Sequence, residues 1–190
     1  MTTLFVNACA REESRTLSLC RAYLEGNPAV EEVRLFERNL VPSIGRWLRN
    51  ECAHRESRLG DSMFDLAKQF AAADEIVIGA PYWDLSFPAV LKVYIEHVTV
   101  NGIVFHYTEE GRPEGLCKAK RLVYITTSGG PCSFANYGFE YLQGIAHMFG
   151  IPETHFISAE LLDVIGQDVD AIMNDALTRV RDLKETLPTL

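Results

Sequence analysis

The stretch EIVIGAPYWDLSFPAVLKVYIEHV, Glu75 to Val98, decides the fold. It reads as a strand, an aromatic loop and an amphipathic helix in direct succession. Ile76, Val77 and Ile78 run without a polar break into Gly79-Ala80-Pro81, the pattern of a strand buried on both faces. Tyr82-Trp83-Asp84 forms the loop. Beyond Pro88, Leu91, Tyr94, Ile95 and Val98 fall at helical spacing on one face. Loops at the carboxyl ends of parallel strands are where α/β sheets bind ligands. Two aromatics and a carboxylate there suggest a flat, partly polar ligand.

The alternation of strand and helix continues on both sides of this stretch. Toward the N-terminus, Thr3 to Ala8 reads as a first strand and Thr16 to Leu24 as a helix with Ser14 or Arg15 at its N-cap. Glu32 to Phe36 reads as a second strand. Residues 37–60, with Pro42, Gly45 and many charges, read as a surface excursion with a short helix. Arg46 to Arg58 is a solvated face in this reading, with Trp47 as a candidate dimer contact. Asp61 to Ala73 is expected to be a helix capped by Asp61 or Ser62, with Met63, Leu66, Ala67 and Phe70 on one face. Toward the C-terminus, Ile103 to Tyr107 and then Leu116 form a hairpin-like excursion around Glu110-Gly111. Arg121 to Thr126 is a fourth strand, and Tyr137 to Phe149 a helix stopped by Gly150 and Pro152. Thr154 to Ala159 is a fifth strand. Val169 to Leu187 is a last helix with a core-facing apolar stripe.

Strict alternation implies a parallel sheet covered on both faces, and right-handed crossovers leave few topologies. The expectation is one domain over residues 1–190: a flavodoxin-like α/β three-layer sandwich, five parallel strands in the order 2-1-3-4-5, helices on both faces. Its binding crevice lies where strands 1 and 3 diverge.

Composition narrows the function. The chain has 190 residues, 47% hydrophobic and 23% charged, which is globular composition. A formal net charge of -8 argues against a nucleic-acid partner. No run reaches the roughly 18 apolar residues of a membrane helix, and the N-terminus enters a strand without a signal-peptide pattern. Five scattered cysteines form no C-x-x-C pair and suit reduced thiols in the cytoplasm. Five histidines show no metal-ligand spacing, so no metal is expected. His97, His147 and His155 are structural or surface residues in this reading, and His106 is the histidine able to reach a pocket.

The expected topology brings three segments to one crevice. After strand 1, Cys9, Arg11, Ser14, Arg15 and Thr16 offer hydroxyls, charge and a helix N-terminus, a combination that suits phosphate. After strand 3 comes Pro81-Tyr82-Trp83-Asp84-Leu85. After strand 4, Thr127-Ser128-Gly129-Gly130 lets a backbone approach a ligand and donate N–H bonds. Each alone is ordinary: a cap, a subunit contact, a turn. Together they describe a mononucleotide with a flat ring. FMN fits better than a dinucleotide, since neither G-x-G-x-x-G nor G-x-x-x-x-G-K-[ST] occurs.

On GAPYWDLSFPAVLKVYIEHV, NGIVFHYTEEGRPEGL and VYITTSGG, in that order and spacing, the chain resembles the FMN-dependent NADH-azoreductases within the flavodoxin-like NAD(P)H:quinone oxidoreductases; ACAREESRT matches more loosely. The resemblance covers nearly the whole chain. It implies that Ser14, Arg15 and Thr16 form the phosphate turn with Cys9 beside it, where the family usually has serine. It places Tyr82 to Leu85 along the isoalloxazine ring and Thr127 to Gly130 at its pyrimidine side. Tyr107 corresponds to an aromatic lining the substrate pocket from the partner subunit of a homodimer with sites at its interface; Phe105 and Tyr137 join it as substrate candidates. Asp84 stands where the family has Asn, and Cys132 where some members have His.

The implied chemistry is hydride transfer from NADH or NADPH to FMN N5, then to a quinone, azo or nitroaromatic acceptor, by a ping-pong mechanism. No catalytic side chain is assigned, because the flavin carries the reaction. Two other classes compete: a flavodoxin-type electron carrier, and a flavin-binding or regulatory protein with weakened catalysis.

Overall fold

The computed structural model describes residues 1–42, 58–133 and 135–188. Five parallel strands form the central sheet: β1 (Thr3–Asn7), β2 (Val30–Arg34), β3 (Glu75–Gly79), β6 (Arg121–Thr127) and β7 (Glu153–Ala159). Their order is β2-β1-β3-β6-β7. This is the expected 2-1-3-4-5 topology, renumbered because the excursion after β3 forms a two-stranded antiparallel hairpin of its own, β4 (Phe105–Tyr107) and β5 (Pro113–Gly115). Among the described residues, five helices cover the sheet: α1 (Arg15–Leu24), α2 (Asp65–Ala72), α3 (Ala89–Val98), α4 (Tyr137–Met148) and α5 (Val169–Thr186).

The strands explain the layering. Side chains alternate across a strand, and here both sets are apolar. Leu4, Val6, Ile76, Ile78, Leu122 and Tyr124 enter one core with Phe70, Leu91, Tyr94, Leu142 and Phe149 from α2, α3 and the α4 region. Phe5, Val77, Val123 and Ile125 enter the other with Leu19 of α1 and Ala176 and Val180 of α5. Helices therefore lie on both faces. All four residues expected on the inner face of α3 are buried.

Local details differ from the sequence reading. β2 begins two residues before the expected Glu32, and Leu35–Glu37 forms a 3-10 turn instead of continuing the strand. β2 is an edge strand with Glu31, Glu32 and Arg34 exposed, so it lacks the apolar run that marks its neighbours. The helix expected from Asp61 starts as a 3-10 turn, Ser62–Phe64, and α2 proper begins at Asp65 with Phe64 at its N-cap position. Neither Asp61 nor Ser62 caps it. Asp61 instead pairs with Arg58 at 2.8 Å, and Met63 is exposed rather than on the buried face. Most of the expected surface excursion, with Trp47, lies outside the described residues.

At the far end of α4 the chain turns through Gly150, whose φ of 78° is the left-handed value that favours glycine. The β4–β5 hairpin packs on this turn so closely that a Cβ on Gly115 would lie 2.0 Å from the Gly150 nitrogen. The hairpin is thereby fixed at the opposite end of α4 from Tyr137. That helix has 12 residues, a separation of roughly 18 Å at 1.5 Å per residue.

Candidate active site

The carboxyl ends of β1, β3, β6 and β7 converge on a cavity of about 120 Å³. Its walls include Arg11, Ser14, Arg15 and Thr16 from the first loop, Pro81 and Trp83 from the second, and Thr127, Ser128 and Gly129 from the third. Ala10, Leu162 and Asp163 complete it. The three segments read from the sequence thus meet in one place.

The first wall is the start of α1. Ser14 is its N-cap, with Oγ accepting from the Leu17 amide at 3.3 Å. The Arg15 and Thr16 amides, in the first turn, have no acceptor within the helix. The Thr16 and Thr127 hydroxyls share a hydrogen bond of 2.7 Å, which locks the first loop to the third. The Arg15 guanidinium faces the Asp163 carboxylate at 3.5 Å, and both side chains are largely exposed. Two N–H donors, two hydroxyls and two guanidinium groups suit a phosphate ester. The cavity size suits that end of a ligand, whose planar part would then lie outward along the loops.

Cys9 lies apart from this wall. It lines a neighbouring cavity with Asn7, Arg21 and Phe36. Its amide donates to Asn7 Oδ1 at 2.9 Å, and its thiol points to the Gly79 carbonyl at 3.7 Å. Burial pushes this thiol up to about 11, against the lowering effect of a hydrogen bond with Ser14.

The aromatic loop is a tight reversal. The Trp83 amide donates to the Ser86 carbonyl at 3.0 Å, and the Ser86 amide returns a bond to Trp83 at 2.9 Å. The two residues between, Asp84 and Leu85, have φ of 51° and 66°, as a primed turn requires. Aspartate and asparagine tolerate this conformation alike, so Asp84 suits the backbone as its family counterpart would. Asp84 is exposed and, like Tyr82, Leu85 and Gly130, does not line the cavity wall. Tyr82 instead donates through its hydroxyl to the Ala135 carbonyl at 2.6 Å, and burial pushes its pKa up, aided by the neighbouring Cys132 and Glu160. The Leu85 carbonyl accepts from the Tyr137 amide at 3.2 Å, which joins the turn to the start of α4.

The substrate candidates are dispersed. Tyr137 begins α4 beside the turn and is 58% exposed. Phe105 is a core residue at 5% exposure, packed near Phe149. Tyr107, 55% exposed, stands edge-on to Phe105 at 5.2 Å. Both belong to the hairpin at the far end of α4. His106 pairs there with Glu114 at 3.0 Å rather than facing the cavity. His97 meets the Val41 carbonyl at 2.9 Å and His155 meets Glu153 at 3.5 Å. Among the described residues no cluster of three or more His, Cys, Asp or Glu is placed to hold a metal ion.

Sequence reasoning passed over the loop after β7, which supplies Leu162 and Asp163. The signal was available: this segment follows a fifth parallel strand, and every such end is a candidate.

A family described as having a flavodoxin-like fold matches residues 1–183. The FMN-dependent NADH:quinone oxidoreductase 2 of Clostridium acetobutylicum is 45% identical over 192 aligned positions, covering 94% of this chain and 96% of that protein. The FMN-dependent NADH:quinone oxidoreductase of Coprothermobacter proteolyticus is 34% identical, covering 90% and 91%. Among solved structures, an azoreductase from Bacillus anthracis superposes with a TM-score of 0.83 at 24% identity, covering 98% of this chain and all (100%) of the other. An FMN-dependent NADH-azoreductase from the same species, in complex with FMN, gives 0.81 at 21% identity over 100% of both chains. With the fold, the strand-end cavity and these full-length matches together, the chain belongs to the FMN-dependent NADH:quinone oxidoreductase family, of flavodoxin-like fold.

Proposed function

We propose that this protein is an FMN-dependent reductase that takes electrons from NADH or NADPH and delivers them to quinone, azo or nitroaromatic acceptors in a ping-pong cycle. The observation that carries this reading is the convergence of three strand-end loops and the α1 N-terminus on one cavity, locked by the Thr16–Thr127 hydroxyl pair. Bound FMN would supply hydride acceptance at N5 and onward two-electron transfer.

The residues of the chain bind and orient. Ser14, Arg15, Thr16 and Arg11 hold the phosphate with amides, hydroxyls and charge. Pro81, Tyr82, Trp83, Asp84 and Leu85 border the ring, with the backbone of the reversed turn presented to it and Cys9 behind the phosphate loop. Thr127, Ser128, Gly129 and Gly130 face the pyrimidine side, where backbone N–H groups stabilise charge as it develops. Trp83 and Tyr137, both exposed beside the turn, offer flat surfaces to an aromatic acceptor. Tyr107 cannot do this for its own cavity, because its hairpin is fixed at the far end of α4. It serves the site of a second subunit in a homodimer, with Phe105 supporting its ring from the core. The protein works in the cytoplasm in this reading, and no helix among the described residues is long and apolar enough to cross a membrane.

The test is an anaerobic titration of the purified protein. It should be yellow, or become so with FMN, and bleach on adding NADH or NADPH, then recover colour with menadione or an azo dye. A colourless protein that takes up no FMN overturns the cofactor assignment. One that holds FMN but is not reduced by either nucleotide is an electron carrier or a binding protein instead.

A further inference from the structure

The loop after β6 is held by a carboxylate that no motif singles out. Glu160 follows β7 and is separated from Cys132 by 28 positions. Its Oε2 accepts the Cys132 amide at 2.9 Å, and its Oε1 accepts the Ser158 hydroxyl at 2.8 Å. Partial burial works against ionisation of Glu160. The hydrogen bonds from the Cys132 thiol and amide, from Ser158 and from the Ser133 amide outweigh it and hold the carboxyl below its ordinary range. The thiol responds in the opposite sense. Burial, then the hydrogen bond to Glu160 and its charge, push Cys132 up to about 11. The pair is therefore a carboxylate and a neutral thiol at neutral pH.

This carboxylate ends a zipper between two loops. The Ser128 amide donates to the Ala159 carbonyl at 2.9 Å, the Leu162 amide to Ser128 at 3.1 Å, the Asp163 amide to Gly129 at 3.0 Å and the Leu161 amide to Gly130 at 3.3 Å. Leu161 adopts a φ of 66° within that run, a conformation an L-residue holds only when its surroundings fix it. The backbone bonds secure residues 128–130. Beyond them, among the described residues, the loop has no sheet partner; Glu160 fastens it at Cys132, and the Tyr82 hydroxyl holds it further on at Ala135.

We propose that Glu160 is a positioning residue for the flavin site: its carboxylate fixes the glycine loop against the β7 loop, so that Ser128, Gly129 and Gly130 are preorganised before ligand arrives. The proposal rests on the FMN reading for its ligand, but its structural half stands apart from that reading. Ordering a loop in advance removes an entropic cost that binding would otherwise bear. It also gives Cys132 a role without flavin contact, as a buried donor to Glu160.

Two variants separate this from a general structural role. Glu160→Gln keeps one acceptor oxygen for the Cys132 amide and turns the other into an NH2 donor, which the Ser158 hydroxyl can accept, without the charge. Glu160→Ala removes the tether. In flavin-free protein, amide hydrogen exchange at Cys132 and Leu161 should quicken about tenfold or more in Glu160→Ala, with Leu122 to Ile125 of β6 unchanged. The FMN dissociation constant should rise about tenfold, reflecting loss of hydrogen bonds to a charged acceptor. Glu160→Gln should restore both to within about threefold of the parent. Should Glu160→Ala fail to fold, Ser158→Ala, which loosens the carboxylate without removing it, should quicken the same amides by a few fold. Unchanged exchange in Glu160→Ala, or faster exchange spread through β6, overturns the proposal. So does a Gln variant as impaired as the Ala variant. If the parent takes up no FMN, the cofactor reading falls while the exchange rates still decide the role of Glu160.

Discussion

The two ends of the same parallel sheet treat their polar groups in opposite ways. At the amino ends of the strands the groups pair chiefly with one another beside a small cavity lined by Tyr23, Glu75 and Arg121, and Arg121 Nη1 has no hydrogen-bond partner. Glu75, 3% exposed at the start of β3, accepts from the Thr3 hydroxyl at 2.8 Å and the Tyr23 hydroxyl at 2.8 Å, and lies 2.9 Å from Arg121 Nε. Arg121 donates in turn to the Pro188 carbonyl at 2.9 Å. Burial pushes the Tyr23 hydroxyl far above its ordinary value, with the Glu75 charge adding to it. At the carboxyl ends, helix amides, a guanidinium and an exposed tryptophan are left facing a cavity. One end spends its polar chemistry on stability, where an unpaired buried group is costly. The other withholds it for a ligand. A fold with one register through both ends can do this because the two sets of loops share strands but not side chains.

The largest expected effect comes from the amino end. Glu75→Leu leaves Arg121 buried without its counter-charge, and stability should fall by about 3–5 kcal/mol, read as a lower urea midpoint. FMN affinity of the remaining folded protein should stay within about twofold, since binding free energy is local to the other end. A loss below about 1 kcal/mol would mean the pair behaves like a surface bridge and the contrast is false. Next comes the open end. Arg15→Ala removes an exposed side chain, so stability should shift by no more than about 0.5 kcal/mol. FMN affinity should fall about tenfold or more through loss of a charge-assisted phosphate contact, while riboflavin affinity stays level. Equal losses for FMN and riboflavin would move the phosphate elsewhere.

The smallest effect sharpens the comparison within the amino end. Asp74 sits at its rim, bonded to the Lys118 ammonium at 2.6 Å and the Thr2 amide at 2.7 Å. The Lys118 bond, then the Thr2 amide, hold its carboxyl below the ordinary range. A lowered carboxyl contributes stability that is complete above its unfolded pKa, near 4, and is lost as pH falls through the lower folded value. Asp74→Asn should cost less than about 1 kcal/mol at neutral pH after screening. It should also flatten the acid limb of the stability profile below about pH 4. A profile identical to the parent's would show that solvent already cancels the pair.

Much of this was legible in the sequence for a physical reason. The inner strands β1, β3 and β6 are buried on both faces, so their apolar runs are unbroken, and the loops that follow them inherit reliable positions. The edge strand β2 is half solvated and shifted by two residues. The start of α2 was misplaced because Asp61 is engaged by Arg58 rather than by the helix. Phe105 was read for its place in a motif, whereas its ring is committed to Phe149. Glu160 could not be read at all: it acts on a residue 28 positions away, through a loop pairing that exists only once β6 and β7 are side by side.

The reversed turn at Asp84 and Leu85 carries an energetic asymmetry of its own. An L-residue held at a φ of 66° costs roughly 1–2 kcal/mol relative to a right-handed backbone. Aspartate recovers part of that through its short polar side chain, and leucine recovers none. The Leu85 side chain is also 39% exposed, so burial compensates only in part. The folded state would be better served by glycine at this place. What leucine adds is an apolar surface turned outward beside Trp83, available to whatever meets that face of the molecule.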